Sequence, residues 1–220
     1  MVWLVETGQP VAALTFDDGP DPVYTPQVLG TLARHNVRAT FFVVGEHARR
    51  YPELVERIRQ AGHEIGNHTD TMATTFFLSG RQFEQDLLGA EATLGLNTED
   101  KEVKEAEEVK DAKEKRGRNN RFKLFRPAGG LIRPAQLEFA RSRGYTCVLG
   151  SAYAYDPYQL PARYIRWVIR KNLRPGAIIV LHDSGGNRSN TVVAVEGLVA
   201  DARAEGLRLI TLSELLAAKK

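Results

Sequence analysis

Short apolar runs alternate along this chain with stretches whose apolar residues recur every three or four positions. Runs at residues 11–16, 39–45, 64–68, 122–126, 146–150, 177–182 and 207–211 have the length and β-branched content of buried strands. The amphipathic stretches at 26–35, 52–61, 81–94, 134–143, 163–173 and 191–204 predict helices. Asn36, Gly62, Gly95, Gly144 and Gly206 follow them, where a helix C-terminus needs a left-handed residue. Strands alternating with helices in this way predict an α/β domain with a parallel sheet. Polar residues stand at the C-terminal ends of the runs: Asp17 and Asp18 after the first, His68 after the third, Arg126 after the fourth, Asp156 after the fifth and His182 with Asp183 after the sixth. Residues converging from many strands on one end favour a barrel over an open sheet.

One segment breaks the rhythm. Residues 97–120 separate the third helix from the fourth strand, where two to six residues would ordinarily do. Within 99–118, eight of twenty residues are acidic and seven are basic. Val103, Ala106, Val109 and Ala112 recur at helical spacing, and Asp100–Lys104 and Asp111–Lys115 are i,i+4 pairs. A charged helical insertion is expected, with a thin docking stripe. Its Glu/Lys/Ala/Val vocabulary differs from the Arg-rich remainder and reads like a graft or a designed insertion. It connects a helix to a strand, so it belongs on the face opposite a barrel's catalytic mouth.

The candidate chemistry sits at the strand ends. In Thr15-Phe16-Asp17-Asp18-Gly19-Pro20, two adjacent carboxylates point in different directions, so one can bind a metal while the other acts as base. The same residues also make an ordinary turn. Gly62-His63-Glu64-Ile65-Gly66-Asn67-His68-Thr69 places a histidine where a strand meets its loop. Phe125-Arg126-Pro127-Ala128-Gly129-Gly130 offers an arginine to hold a carboxylate and a glycine-rich turn whose amides suit an oxyanion. Ile178-Ile179-Val180-Leu181-His182-Asp183 is an apolar strand ending in a histidine fit for acid–base work.

In this order and spacing the motifs resemble the NodB-type polysaccharide deacetylases, metal-dependent carbohydrate esterases, over residues 11–216 apart from the insertion. The resemblance implies a distorted (β/α)7-type barrel that removes acetyl groups from N-acetylated sugars. It implies Asp17 as general base, Asp18 and His68 as ligands of a divalent metal (zinc, or cobalt or nickel), and His182 as general acid. By the same carry-over Asp156 orients the histidine, Arg126 lines the groove with Pro127, and the amide near Gly129 helps hold the oxyanion.

The chain departs from that pattern in places. The family's His-Ser/Thr-x-x-His motif reads His68-Thr69-Asp70-Thr71-Met72, so a thioether, a soft and weak ligand, stands at the third ligand position. Asp70 can substitute only if this segment is not helical; Met72 itself reads as apolar filling. Ala128, Tyr153 and Pro157 replace a proline, an aspartate and a tryptophan of the family's motifs. An impaired metal site is therefore expected, as if altered by engineering or decay. Three readings stay open: a deacetylase of reduced metal dependence, a scaffold re-cut for another small molecule, and a glycan binder without turnover.

Composition narrows the partners. The chain has 220 residues, 43% apolar and 26% charged, which excludes a disordered tail and predicts one domain spanning 1–220. A net charge of +3, scattered along the chain, does not suggest nucleic acid. No run reaches the length of a membrane span. The first residues lack the basic and apolar regions of a secretory signal, so a cytoplasmic protein or a processed or recombinant secreted piece is expected. The lone Cys147 excludes an internal disulfide and reads as a small core residue.

Overall fold

The computed structural model describes residues 1–96 and 122–220; the charged helix expected over 97–120 lies outside them. The strands are β1 (Val11–Asp17), β2 (Thr40–Val43), β3 (Glu64–Asn67), β4 (Lys123–Phe125), β5 (Tyr145–Cys147), β6 (Ala152–Tyr153), β7 (Ile178–His182) and β8 (Arg208–Ile210). The helices are α1 (Tyr24–His35), α2 (Gly45–Arg50), α3 (Pro52–Gln60), α4 (Gly80–Leu94), α5 (Pro134–Ser142), α6 (Ala162–Asn172), α7 (Ser189–Ala204) and α8 (Leu212–Ala217). The strands pair in parallel in the order β5-β4-β3-β2-β1-β7-β6, and β8 adds to the start of β1. The sheet curls into the expected distorted barrel. Among the described residues no ladder joins β5 to β6. There the N-terminal segment spans the gap, with Val2 paired to Val148 and Leu4 to Ala177.

Strand alternation builds two apolar layers. Val11 and Ala13 of β1 join Phe42, Leu124, Val148, Ile178 and Ile210 inside the barrel. Ala12, Leu14 and Phe16 face the other way, into a layer with Phe41, Val28, Leu32, Ile165 and Leu198 beneath the helices. Because β1 is buried on both sides, the same period of two carries Thr15 and Asp17 onto the interior face. An apolar strand thus delivers a carboxylate to the barrel mouth.

Departures from the expected elements have local causes. α1 starts two residues before Pro26, because Asp21 Oδ1 accepts the amides of Val23 and Tyr24 at 2.8 and 2.9 Å. α2, β6 and α8 were not expected; each is six residues or fewer, too short to show a period. The expected fifth strand, residues 146–150, is β5 and ends at Cys147, and Asp156 follows the further strand β6.

His63, just before β3, is 3% exposed; its Nδ1 accepts the Ala39 amide at 3.2 Å. Burial, aided by the Arg38 charge, pushes its pKa from 6.5 down to about 4. Between those values the unfolded chain binds the extra proton. Its contribution is therefore complete above pH 6.5 and is lost as pH falls to about 4. The loss should be about 3 kcal/mol. Urea unfolding of the protein and of His63→Asn, compared from neutral to acid pH, should show the two stabilities converging by that amount. A constant difference across the range would refute it.

Candidate active site

The register of neighbouring strands assembles the site. Asp17 stands opposite His182 across the β1–β7 ladder, and Asn67 opposite Phe125 across β3–β4. The following residues, Asp18, His68 and Arg126, therefore reach the same end of the barrel. The expected residues Asp17, Asp18, His68, Arg126, Asp156 and His182 converge there.

Arg126 is 3% exposed and reaches across the interior. Its guanidinium donates to Asp17 Oδ1 at 2.6 Å, Thr15 Oγ1 at 2.8 Å, the Leu149 carbonyl at 3.1 Å and the Val148 carbonyl at 3.3 Å. It lies 4.1 Å from the centre of the Phe42 ring. So many acceptors are what makes burial of this cation tolerable. Asp17 is thereby fixed in place with one oxygen committed.

The second pair is His182 and Asp156. His182 Nδ1 donates to Asp156 Oδ1 at 2.9 Å, while Asp156 Oδ2 accepts the His182 amide at 3.0 Å and the Thr191 hydroxyl at 2.9 Å. Three donors fix this carboxylate, and the tautomer leaves Nε2 for the mouth. Burial alone would lower the His182 pKa. The hydrogen bond and charge of Asp156, with Asp17 and Asp18 nearby, outweigh it and hold the imidazole above its ordinary range.

Asp18 and His68 form the third pair. His68 Nδ1 donates to the Arg126 carbonyl at 2.8 Å, which turns Nε2 to within 3.3 Å of Asp18 Oδ1. Asp18 has φ 72°, a left-handed conformation held where His47 Nδ1 meets its carbonyl at 2.8 Å. Burial opposes its charge, yet His68, His182 and Arg188 draw its pKa below the ordinary carboxylate value. Burial likewise opposes His68⁺, while Asp17 and Asp18 raise it.

Asp18 Oδ1 and His68 Nε2 face each other and are two donors that could hold a divalent ion. A third does not join them. The segment after His68 is not helical, but Asp70 is taken up by Arg49, whose guanidinium meets both its oxygens at 2.6 and 2.9 Å. Gly45 and Gly89 leave the space it occupies: a Cβ at Gly45 would lie 2.1 Å from Asp70 Oδ1. Met72 is 41% exposed, not the buried filling that its residue type suggested. Among the described residues no group of three His, Cys, Asp or Glu could hold a metal. This donor set does not fit a catalytic zinc with three protein ligands.

Pro127 is buried behind Arg126, and Gly129 follows on the exposed side of the turn with φ 75°. A Cβ at Gly129 would lie 2.7 Å from Thr74 Cγ2, so only glycine lets this turn press against the loop after His68. Sequence reasoning marked Asp183 at a strand end without giving it a role, and missed Arg188. Asp183 is fully buried beneath Gly19, accepts the Thr25 hydroxyl, and is pushed up to about 7 by burial and by the charges of Asp18 and Asp21. Arg188 is also buried; it donates to the carbonyls of Ser184 and Gly185, both at 2.6 Å, and of Pro157 at 3.4 Å. It ties the His182 loop to the Asp156 loop. The run His182-Asp183-Ser184-Gly185-Gly186 was a visible signal of a tight loop, but not of what the loop encloses.

Replacing Arg126 by methionine strands the Asp17 charge in the interior and should cost about 3–5 kcal/mol. Adding Asp17→Asn should recover part of that loss. Urea unfolding of the single and double variants measures it, and equal losses in both would show that the pair is not energetically coupled.

The sequence matches the polysaccharide deacetylase family over residues 5–148. It is 36% identical over 219 residues to a peptidoglycan-N-acetylglucosamine deacetylase of Bacillus cereus, covering 98% of this chain and 92% of that protein. The fold superposes on the crystal structure of a peptidoglycan N-acetylglucosamine deacetylase bound to a naphthalenyl N-oxidanyl-benzamide, with a TM-score of 0.84 and 28% identity, covering 100% of this chain and 94% of that one. A family 4 acetyl xylan esterase from Clostridium thermocellum, solved with a cobalt ion, is similar at a TM-score of 0.76 and 28% identity, covering 94% and 90%. Site geometry, family match and full-length similarity agree: this chain belongs to the polysaccharide deacetylase family.

Proposed function

We propose that this chain hydrolyses the N-acetyl group of an N-acetylglucosamine-containing glycan, on a metal site weakened by Met72. The observation that carries the reading is the pair of fixed dyads at one barrel end, Asp17 with Arg126 and His182 with Asp156. The similarity to a peptidoglycan deacetylase over nearly the whole chain supports the substrate class. An amide needs a proton removed from attacking water and a proton delivered to the departing nitrogen. Asp17, held in place by Arg126, takes the first. His182 delivers the second from Nε2, and Asp156 stabilises the imidazolium meanwhile. The C–O bond forms, the C–N bond breaks, and acetate and the amine leave. Gly129 and its neighbours line the groove where the carbonyl oxygen would turn. Asp18 and His68 remain as two donors for a divalent ion.

Loss of a ligand should weaken metal binding at least as much as loss of a residue behind one, roughly 10–100-fold. Zinc bound per chain and acetate released from an N-acetylglucosamine oligomer, compared between this protein and Met72→His, test both halves of the reading. The expected result is substoichiometric zinc with slow turnover, and a gain of about 10-fold or more in affinity for Met72→His. Near-stoichiometric zinc and equal turnover without the substitution would remove the impaired site. No acetate from either protein at saturating metal would overturn the deacetylase reading and favour a scaffold re-cut for another small molecule.

A further inference from the structure

Both tryptophans of the chain are on its surface, Trp3 at 61% and Trp167 at 50% exposure. That is unusual for the largest apolar side chain. Trp167 belongs to α6, whose inward residues Ile165 and Ile169 are fully buried, so the helix is already anchored. Its outer face carries something else. Tyr164, 42% exposed, tilts against Trp167 with ring centres 5.5 Å apart, and Lys171 Nζ sits 3.8 Å from the centre of the Trp167 ring. Arg163, Arg170 and Arg174 are exposed around them.

The charge of this face is one-sided. From residue 157 to 182 the chain has five arginines and lysines and no carboxylate. Two acids reach it from α7 and the residue that follows: Asp201 binds Arg166 at 2.8 Å, and Glu205 lies 3.9 Å from Arg170. Among the described residues no ion pair involves Arg163, Lys171 or Arg174. α6 runs from the loop bearing Asp156 back to the start of β7, so Lys171 and Arg174 lie towards the end of the barrel remote from His182. The Leu4–Ala177 pairing and the Val5 amide on the Gly176 carbonyl, at 3.0 Å, bring the segment of Trp3 to that same end.

We propose that this flank docks the protein on an anionic lipid bilayer. Half-exposed Trp and Tyr rings ringed by long cationic side chains match the headgroup layer, where amphipathic rings insert and Arg and Lys reach the phosphates. A soluble polyanion would use the cations but gain nothing from the ring edges. A neutral glycan would stack on the Trp167 face, part of which the Lys171 ammonium already occupies. The inference is independent of whether the site turns over.

The test is co-sedimentation of the full chain with phosphatidylglycerol–phosphatidylcholine vesicles and with phosphatidylcholine vesicles, at low and high salt. Binding is expected only to the anionic vesicles and only at low salt. In a Trp3→Phe background, Trp167 fluorescence should shift to the blue on binding. The triple variant Arg163→Gln, Lys171→Gln and Arg174→Gln should lose affinity on the order of 100-fold, about fivefold per charge. All three side chains are exposed, and an unchanged urea midpoint certifies the fold. Equal binding to both vesicle types, no binding to either, or binding that ignores the triple variant overturns the proposal. Preference for a soluble anionic polysaccharide over anionic vesicles overturns it too, in favour of a polymer site.

Discussion

A cation enclosed within a barrel is tolerable only if the interior supplies enough acceptors to replace water. Arg126 meets that condition with Asp17, Thr15 and two carbonyls from the segment after β5. The acceptors come from two separate places in the chain, β1 and the segment after β5, so the contact is also a geometric constraint. β1, β4 and the end of β5 must be in register for it to form. Its own carbonyl receives the His68 proton, which carries the constraint on to β3. One arginine thus ties together Asp17, through its guanidinium, His68, through its carbonyl, and the curvature of the sheet.

The opposite wall is organised around Asp156 in the same manner. This fully enclosed carboxylate receives donors from β7 and α7, and Arg188 stitches the surrounding loops through carbonyl oxygens alone. Between the two walls Asp18 is kept in a left-handed conformation facing His68. The mouth is therefore preorganised before any substrate or ion arrives, the condition under which electrostatic stabilisation is strongest. The loop from Thr69 to Thr74 is held just as firmly, by Arg49 on Asp70 and by Thr74 against Gly129. A well-held loop that presents methionine to solvent differs from a collapsed one.

Much of this was legible from residues alone. Alternating apolar runs announced β1, β2, β3, β7 and most helices, because a strand buried on both faces needs apolar side chains throughout and a helix needs them every third or fourth position. The site residues were legible because they interrupt apolar runs at strand ends. Helices of six residues and a two-residue strand were not, since they are shorter than the periods that would reveal them. Thr191 and Arg188 escaped notice, and Asp183 was seen without a role, for a different reason: each matters through what the folded chain packs against it.

The sequence by itself determined the family, the parallel α/β barrel and the polar residues that end its strands at the mouth. All of these are encoded in local pattern and motif order. Tertiary structure alone decided which carboxylate is paired with which cation, that Asp70 is drawn away by Arg49 rather than facing His68, and that Met72 is open to solvent. It also decided that Tyr164, Trp167 and Lys171 share an outer face. Such choices depend on the burial and charge that distant segments impose on one another once the sheet has curled, and no local period records them.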